Sequence, residues 1–509
     1  MRRIGIDVGG TNTDAVLLDG ARIVHAVKAP TTADVTGGIV AALAALTRHP
    51  EVKGRADAVV IGTTHFINAV VQRRSLSRVA AIRIGLPASA SLPPFCDWPA
   101  DLAELVRAEM FMLEGGHDVD GREIMPFDEA AMREAARAIR AKDIAAVEVS
   151  SIFSPLDASH EERAGQILAE ECPGAAVTLS HRLGRIGLLE RENAALLNAA
   201  LAGLARDTIA GFREAVAKID APLYITQNDG TVMSAEAAVA LPVMSFASGA
   251  TNSMRGAAFL SGIAEAMVVD VGGTSTDIGQ LRRGFPREAN SVVEIGEVRT
   301  LFRMPDLFSL GLGGGSIVRE APLAVGPQSV GYRLVEAAQV FGGGTVTATD
   351  AAVAAGIAAI GDRPPRIDRR TAEAVLALAR EKIEDAVDRM KTEAGEVTLI
   401  AVGGGAFLVP DRLAGVAEVI RVPHGDCANA VGAATAQISG ETDQVYHDMQ
   451  RAEAIAAAEA QAVARATEAG ADPATIQTIE VEDMPLAYLP GNALRVRVRV
   501  AGEMGAIPR

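Results

Sequence analysis

The sequence predicts an α/β protein with two similar lobes, followed by a small α+β region. Short apolar runs alternate with helical patterns through the first half of the chain, which favours mostly parallel sheet covered by helices. One octapeptide also occurs twice, as DVGGTNTD at 7–14 and DVGGTSTD at 270–277. A repeat of this quality indicates two related strand–turn–strand units. The length of 509 residues exceeds a single compact core, so we expect at least two domains.

Composition changes place the predicted boundaries near residues 180–190 and 440. They give a first lobe at 1–185, a second lobe at 186–440 and a C-terminal region at 441–509. In that last region an Ala/Glu-rich segment predicts a helix at about 443–469, with strand patterns after it.

The charge and the cysteines exclude several classes of protein. A formal net charge of −16 argues against binding to nucleic acid or to an anionic membrane, because both need a basic face. No run of about 18 uncharged apolar residues is present, so no membrane span is predicted. Three cysteines lie far apart and form neither a zinc nor a disulfide pattern, which suits a reducing compartment. The start has two arginines without an apolar stretch after them, so we expect a cytoplasmic protein.

The repeated octapeptide has the chemistry of a phosphate site with a metal. Glycines let the backbone approach an anion and turn its N–H groups toward it, and threonine hydroxyls add donors. Aspartates would repel a phosphate unless a divalent cation, usually Mg²⁺ with several waters, lies between them. We therefore expect the two copies to face each other and hold a polyphosphate. The predicted nucleotide-binding residues in the two loops are Gly9, Gly10, Thr11, Asn12, Thr13, Gly272, Gly273, Thr274, Ser275 and Thr276.

Four aspartates bracket the two loops and are the predicted catalytic residues. Asp7 and Asp270 end their strands and are candidate Mg²⁺ ligands, whereas Asp14 and Asp277 could position water or hold the hairpin. The alternative is that both loops are ordinary tight turns with aspartate-to-backbone hydrogen bonds, but a near-identical second copy disfavours it. The sequence contains neither a P-loop nor a dinucleotide fingerprint.

A third glycine tract, Gly403, Gly404 and Gly405, follows a predicted strand. A backbone without side chains can pack against an adenosine or a phosphate, although a structural turn would use the same residues. Its position after two phosphate loops favours nucleotide binding.

Taken in order, these motifs resemble the superfamily of actin, heat-shock ATPases and sugar kinases. More closely, the chain resembles a shorter subgroup of the hydantoinase A/5-oxoprolinase/acetone carboxylase family, from residue 4 to about residue 436. The segments that carry this resemblance are 5–11, 62–69, 154–155 with 160–161, 190–193 with 198–199, 228–230, 248–249, 270–277, 312–317 and 349–351. Two segments depart from the family: Asp306-Leu307-Phe308 stands where Asp-Ile-His is usual, and Ser248-Gly249-Ala250 where Ser-Gly-Pro is usual.

The resemblance implies two actin-like, ribonuclease H-like lobes with ATP and Mg²⁺ in a cleft between them. It also implies a second subunit, of hydantoinase B type or another kind, in a homo- or hetero-oligomer. Asp306 joins Asp7 and Asp270 as a candidate metal ligand. For His65 a local hydrogen bond at a helix start remains an alternative, and for the two serines ordinary turn chemistry does. The predicted contacts to the substrate are Thr64, His65, Asn68, Ser248, Gly313 and Ser316.

The implied function is ATP-dependent hydrolysis of a cyclic amide, such as a hydantoin, oxoproline or another lactam. ATP would phosphorylate the amide or carbonyl oxygen, and water would then attack the activated carbon. One alternative is a small-molecule kinase, or a subunit of an ATP-dependent carboxylase, on the same fold. Another is a non-catalytic, ATP-driven switch or assembly protein.

Overall fold

The structure, a computed structural model, describes residues 1–9, 12–31, 35–52, 56–184, 186–289, 292–487 and 491–505. None of the helices in these ranges has the length and apolar character to cross a membrane. The α-helices are α1 Val35–Thr47, α2 His65–Val71, α3 Ala100–Val106, α4 Glu129–Ala141, α5 Ser159–Glu171, α6 Leu188–Ala200, α7 Ala202–Val216, α8 Ala235–Ala240, α9 Ser248–Ser261, α10 Leu334–Ala337, α11 Ala348–Ala354, α12 Arg369–Met390, α13 Ala428–Thr435 and α14 Arg451–Glu468.

The strands alternate with these helices along the chain. They are β1 Arg2–Val8, β2 Asn12–Asp19, β3 Arg22–Pro30, β4 Ala58–Thr63, β5 Val79–Leu86, β6 Arg107–Glu114, β7 Ala146–Ser151, β8 Ala176–Leu179, β9 Leu223–Thr226, β10 Thr231–Ser234, β11 Ala266–Val271, β12 Thr276–Arg282, β13 Phe285–Pro286, β14 Val293–Ile295, β15 Val298–Thr300, β16 Leu307–Leu310, β17 Ser316–Glu320, β18 Leu323–Ser329, β19 Val397–Val402, β20 Val416–Arg421, β21 Gln437–Tyr446, β22 Gln477–Pro485 and β23 Leu494–Gly502.

Three main sheets organise the fold. A nine-stranded sheet has the order β22-β23-β21-β10-β9-β4-β1-β2-β3, and a six-stranded sheet has the order β13-β12-β11-β19-β20 with β16 also paired to β12. A four-stranded sheet, β6-β5-β7-β8, is parallel throughout, and β14–β15 and β17–β18 form two small hairpins. This combination of helix-connected parallel strands and antiparallel hairpins confirms the predicted α/β class. The two-lobed arrangement around a nucleotide cleft stays a prediction.

Both copies of the octapeptide form the same antiparallel hairpin, one in each of the two larger sheets. In β1–β2, Asp7 lies opposite Asp14, and in β11–β12, Asp270 lies opposite Asp277. Each first strand also has a parallel neighbour, β4 beside β1 and β19 beside β11. The predicted strand–turn–strand repeat is therefore confirmed for the residues that the structure describes.

Helices α9 and α13 join these two sheets. Helix α13 packs on β1, β2 and β4, while α9 packs on β4, β11 and β19. The two helices cross with their backbones in contact, because the contact residues include glycines. A Cβ on Gly432 of α13 would lie 1.8 Å from the carbonyl oxygen of Asn252. A Cβ on Gly256 of α9 would lie 1.9 Å from the carbonyl oxygen of Ala428, so neither position has room for a side chain.

The sheets do not coincide with the three predicted ranges. Strands β9 and β10, from the predicted second lobe, and β21 to β23, which run from 437 to 502, all pair into the sheet of β1. Pairing between distant segments cannot be read from local composition, which is why the sequence suggested a separate C-terminal region. The ranges stay a prediction, since sheet membership alone does not define domains.

The helix predicted at about 443–469 begins later, at Arg451. Residues 443–446 instead continue β21, where Asp443 lies opposite Arg497 of β23. Pairing with β23 outweighs the helical composition of this segment.

Buried ion pairs attach the C-terminal strands to the middle of the chain. Arg303 pairs with Asp229, Arg497 pairs with Glu288, and an Nη atom of Arg499 lies 2.8 Å from Glu288. Burial opposes ionisation of Asp229, but Arg303 and Arg499 lower its pKa to about 2. The Asp229 carboxylate is therefore charged at neutral pH. Its ion pair with Arg499 links residues more than 200 positions apart in the sequence.

We expect Gly432→Ala to destabilise the protein by about 2–3 kcal/mol, because the new methyl group would push α13 away from α9. Alanine is the better helix former by about 1 kcal/mol, so any loss reflects packing. The measurement is the midpoint of thermal unfolding followed by circular dichroism. Gly344→Ala is the matched control, since a Cβ at this exposed glycine meets no atom within 4 Å. Equal midpoints for the two variants would contradict the close helix crossing.

Candidate active site

The first hairpin places a buried acid pair at the end of β1. The Gly9 N–H donates to the Asn12 carbonyl at 3.0 Å and closes the turn beside Asp7 and Asp14. Asp7 is 4% exposed, and its Oδ2 accepts a hydrogen bond from Asn429 Nδ2 at 3.2 Å. Its Oδ1 has no hydrogen-bond partner within the described parts of the chain. A buried carboxylate oxygen without a partner indicates a place for a ligand.

The second hairpin repeats this geometry with a different neighbour. The Gly272 N–H donates to the Ser275 carbonyl at 2.9 Å and closes the turn between Asp270 and Asp277. Ser309 of β16 lies opposite Asp277 and donates to its Oδ1. The second acid pair therefore has a neutral hydroxyl as its cross-strand neighbour.

Lys28 occupies the corresponding place in the first hairpin. It lies opposite Asp14 in the β2–β3 pairing, and its Nζ is 2.8 Å from Asp14 Oδ1. Nζ also donates to the carbonyl of Asp426 at 3.1 Å. Burial alone would lower the pKa of Lys28, but Asp14 raises it above its ordinary value. The lysine is therefore a stable positive charge beside the first acid pair.

The two acid pairs influence each other. Burial raises the pKa of Asp7 to about 7, with Asp14 and Asp270 adding to the shift. Burial likewise raises the pKa of Asp270 to about 7, with Asp277 and Asp14 adding to it. Carboxylates of the two hairpins thus raise one another's pKa values, and the crossed helices α9 and α13, which contact β11–β12 and β1–β2 respectively, connect the two hairpins. A divalent cation with its waters would supply the missing positive charge, so the side chains present fit Mg²⁺.

Helix α9 brings further polar atoms to this place. Asn252 Oδ1 and Ser253 Oγ are buried and make no hydrogen bond to the residues that the structure describes. Gly62, which lies opposite Asp7 in the β1–β4 pairing, gives them room. A Cβ on Gly62 would lie 2.2 Å from Asn252 Nδ2 and 2.8 Å from Asp7 Oδ1. With Asp7, these atoms form a set of buried polar groups that a bound ligand or water could satisfy.

The third glycine tract lies beside the second hairpin, at the end of β19. Gly403 has a φ of +89°, and a Cβ there would lie 2.3 Å from Asp270 Oδ1. The Gly405 N–H donates to the Val271 carbonyl at 2.8 Å. Gly404 is exposed, with no atom within 4 Å of the place of a Cβ. The tract therefore presents open backbone next to the acid pair, as nucleotide binding would require.

Two of the predicted substrate residues support the second turn instead of projecting from it. A Cβ on Gly313 would lie 2.7 Å from the carbonyl carbon of Gly273, so this glycine packs directly on the turn. The Gly313 N–H donates to Ser316 Oγ at 2.9 Å, and Ser316 is fully buried. The neighbouring Gly315 N–H donates to the Gly273 carbonyl at 2.7 Å.

Ser248 also has a structural role. Its hydroxyl donates to the Thr63 carbonyl at 2.9 Å and accepts from the Thr63 N–H at 3.2 Å. These bonds fasten the start of α9 to the end of β4 and leave the buried hydroxyl occupied. Substrate contact by Ser248 stays a prediction.

Thr64, His65 and Asn68 lie where β4 leads into α2, beside the first hairpin. Asn68 Nδ2 donates to Thr64 Oγ1 at 3.3 Å, and Asn68 is exposed. Burial lowers the pKa of His65, so its imidazole is neutral at pH 7. These three side chains remain the predicted substrate residues closest in sequence to the first turn.

Asp306 lies apart from the acid pairs in its contacts. Arg287 Nε donates to its Oδ2 at 3.0 Å, and a second guanidinium nitrogen of Arg287 bonds the same oxygen. The carboxylate therefore already has a cation from the protein. The predicted metal ligand at Asp306 stays a prediction, and these contacts favour a structural role.

The remaining loop residues divide between the turns and the hairpin interior. Thr274 and Ser275 are exposed at the tip of the second turn, whereas Gly10 and Thr11 lie outside the described residues. Thr276 Oγ1 donates to the Leu312 carbonyl at 2.6 Å. Thr13 is buried, with its hydroxyl 3.4 Å from that of Thr31. The Thr13 and Thr276 hydroxyls thus have protein partners, a role that the phosphate prediction did not include.

Sequence reasoning missed four residues of this site: Lys28, Asn252, Ser253 and Asn429. Asn429 follows the Pro-His-Gly-Asp segment after β20, and Asn252 and Ser253 follow the Ser-Gly segment at 248–249. The Ser-Gly segment was noted in the sequence, but only the folded helices show which side chains lie beside the aspartates.

Two family models match the chain. The hydantoinase/oxoprolinase N-terminal region matches residues 3–172, and the hydantoinase/oxoprolinase model matches residues 191–362. Together they cover more than half of the sequence. The chain belongs to the hydantoinase/oxoprolinase family, which confirms the resemblance found in its motifs.

Individual relatives extend this comparison. The chain is 28% identical over 485 residues to caprolactamase subunit alpha of Pseudomonas jessenii, an alignment spanning 84% of this chain and 69% of that subunit. It is 29% identical over 391 residues to the acetophenone carboxylase gamma subunit of Aromatoleum aromaticum, spanning 69% of this chain and 53% of that subunit. The chain thus spans about two thirds and about half of the lengths of these relatives.

A solved structure of ATP-dependent caprolactamase from Pseudomonas jessenii matches the fold. The TM-score is 0.75 at 22% identity, with 99% of this chain and 88% of that chain covered. The likeness confirms the mixed α/β architecture.

We expect Lys28→Met to weaken binding of Mg·ATP about tenfold, or by about 1.4 kcal/mol, because the acid pair at Asp14 would lose its neighbouring positive charge. Isothermal titration calorimetry measures the change. Lys218→Met, at an exposed lysine after α7, is the matched control and should bind as the wild type does. Unchanged affinity of the Lys28 variant would show that its charge does not act on the bound nucleotide.

Proposed function

We propose that this chain is the ATP-binding subunit of an ATP-dependent hydrolase of cyclic amides. The observation that carries the proposal is the pair of matching hairpins, in which Asp7 lies opposite Asp14 and Asp270 lies opposite Asp277, with the pKa values of Asp7 and Asp270 both raised to about 7. Such an arrangement suits a site that receives a cation together with a polyphosphate. Open backbone at Gly404 lies beside it, on the side of the second hairpin.

The relatives support the choice of reaction. One relative is a subunit of a caprolactamase, and the matching solved structure is described as ATP-dependent. Its substrate is a cyclic amide, the class that the sequence motifs also suggest. Since several relatives are single subunits of larger enzymes, we propose that this chain also works with a second subunit.

The proposed chemistry activates an unreactive amide. The lactam oxygen forms a bond to the γ-phosphorus of ATP while the bond from that phosphorus to the leaving ADP oxygen breaks. Water adds to the activated carbon, and cleavage of the ring C–N bond gives an acyl phosphate with a free amine. A second water releases phosphate and leaves the open amino acid. The sum is one lactam, one ATP and two waters converted to one amino acid, ADP and phosphate.

The residues of this chain would act by position and charge. Asp7 and Asp270 would hold Mg²⁺ through its waters, and the ion would offset negative charge on the phosphates. Lys28 keeps Asp14 paired, and Asn429 orients Asp7 through its 3.2 Å hydrogen bond. Neutral His65, at the start of α2, would hydrogen-bond a substrate that reaches the first turn.

A carboxylase subunit is the second candidate, because one relative is the gamma subunit of an acetophenone carboxylase. The two candidates differ in what consumes the ATP. A carboxylase would need both bicarbonate and a ketone, whereas the hydrolase needs a cyclic amide and water.

The test incubates the purified chain with ATP and Mg²⁺, alone and together with a hydantoinase B-type chain from the same organism. Hydantoins, oxoproline and lactams are supplied in one series, and ketones with bicarbonate in another. Phosphate release stimulated by a cyclic amide, with the opened amino acid as product, supports the proposal. A stable phosphorylated product would indicate a kinase. Failure to bind ATP by calorimetry would exclude every ATP-dependent function.

We expect Asp270→Asn to lower substrate-stimulated phosphate release at least about 100-fold, because it removes a carboxylate that would hold the Mg²⁺ ion needed to offset the charge of the transferred phosphoryl group. Asp306→Asn is the informative comparison, since Asp306 is bound to Arg287. We expect that variant to retain most activity. Equal losses in both variants would instead make Asp306 part of the metal site, as the sequence suggested.

A further inference from the structure

A cluster of histidines and carboxylates lies on the four-stranded sheet, away from the hairpins. The sheet order is β6-β5-β7-β8, so the chain crosses from β6 over β5 to β7. In open α/β sheets, ligands bind outside the carboxyl ends of the strands where the order reverses. His117 follows the end of β6, and Asp157 and His160 follow the end of β7. The cluster therefore lies in the position where such sheets bind their ligands.

Two glycines bring the segment after β6 onto His160. Gly115 and Gly116 have φ values of +136° and +92°, which few other residues adopt. A Cβ on Gly115 would lie 2.5 Å from a methyl carbon of Ile84 and 3.2 Å from His160 Nδ1. This close approach places the ring of His117 4.3 Å from that of His160, measured between centroids.

The imidazole of His117 is buried and makes no hydrogen bond to the described parts of the chain. Its residue is 3% exposed, and Nδ1 has no partner among the residues that the structure describes. Nε2 lies 3.7 Å from Asp157 Oδ2, which is longer than a hydrogen bond. A buried imidazole with a free lone pair requires an explanation, because such groups are nearly always paired.

His160, in contrast, is fully paired. The Gly116 N–H donates to His160 Nδ1 at 3.0 Å, so the ring proton is on Nε2. That N–H faces Glu123 Oε1 at 3.1 Å and donates to it. In this tautomer His160 cannot give a lone pair to a cation, but it can orient Glu123.

We propose that His117 Nδ1 and the Glu123 carboxylate bind a divalent transition metal ion such as Zn²⁺, with Asp157 and His160 holding these two ligands in place. Ligands of metal ions are typically oriented by such outer hydrogen bonds. Here Asp157 would accept from His117 Nε2–H, and His160 already donates to Glu123. Water or a small oxygen ligand would complete the coordination.

The distances allow this with a small movement. One ring nitrogen of His117, one ring nitrogen of His160 and one carboxylate oxygen of Glu123 lie within 4.8 Å of one another. Zinc bonds of about 2.0–2.2 Å let two ligands be at most about 4.3 Å apart. The Glu123 side chain is 55% exposed, so it can move the remaining distance without disturbing the core. No proton has to leave the imidazole, since His117 Nδ1 offers a lone pair.

This proposal goes beyond the proposed function and does not depend on it, because the cluster lies on a different sheet from the phosphate hairpins. Its test uses the full-length chain without a histidine tag, stripped of metal and titrated with Zn²⁺ by calorimetry. Metal content after gel filtration gives the second readout. Mg²⁺ is kept in excess so that the hairpin aspartates do not contribute.

We expect the wild type to bind one more Zn²⁺ than Glu123→Gln, or to bind it at least tenfold more tightly. Glu123→Gln changes an exposed side chain and should fold normally. His117→Gln, which preserves polarity and approximate size, should also lose this Zn²⁺, and Asp157→Asn should weaken it. His49→Ala is the control, because His49 and His25 form another close histidine pair, with centroids 4.1 Å apart. Zinc binding by Glu123→Gln and His117→Gln that matches the wild type would overturn the proposal, as would no zinc binding by the wild type.

Discussion

Repulsion among four carboxylates in two adjacent hairpins is the constraint to which the rest of the structure responds. Burial and mutual charge raise the pKa values of Asp7 and Asp270 to about 7. Ionised carboxylates in these positions are therefore unfavourable unless the surrounding structure holds them there. The positions of these aspartates must therefore be fixed by packing of the neighbouring strands and helices. The backbone at Gly62 and Gly403 packs so closely on the carboxylates of Asp7 and Asp270 that neither position has room for a side chain. The crossed helices α9 and α13 also support the aspartates, because α13 contacts β1 and β2 and α9 contacts β11 and β12.

The two hairpins have the same backbone and different electrostatics. Lys28 faces Asp14 in one, and Ser309 faces Asp277 in the other. The first acid pair therefore carries one unit of negative charge less than the second when all four acids are ionised. Lys28 and Ser309 lie on strands outside the repeated octapeptide. The two copies can therefore keep the same backbone geometry while each has a different role in binding.

The sequence predicted the features that are local and repeated. The twin loops, the tract at 403–405 and the family follow from motifs, and the α/β class follows from periodicity. Lys28 could not be found in this way. Counting back from the turn at Gly20 puts Val27 opposite Asp14, but a bulge near Leu17 shifts the pairing by one residue and brings Lys28 there. Ser248 and Ser316 are the opposite case: a motif marks them, and the fold adds that their hydroxyls hydrogen-bond neighbouring backbone, which the sequence does not show.

The order in which the strands of the nine-stranded sheet are synthesised affects how the protein folds during translation. Its strands come from residues 2–30, 58–63, 223–234 and 437–502, so early strands pair in one sheet with strands that are synthesised much later. Contacts of such sequence separation form slowly, and an unpaired strand edge attracts wrong partners until they do. Strand β10 cannot pair with β21 until about 200 further residues have been synthesised. During that interval the nascent chain has an open sheet edge, and chaperones that cover it would be most useful then.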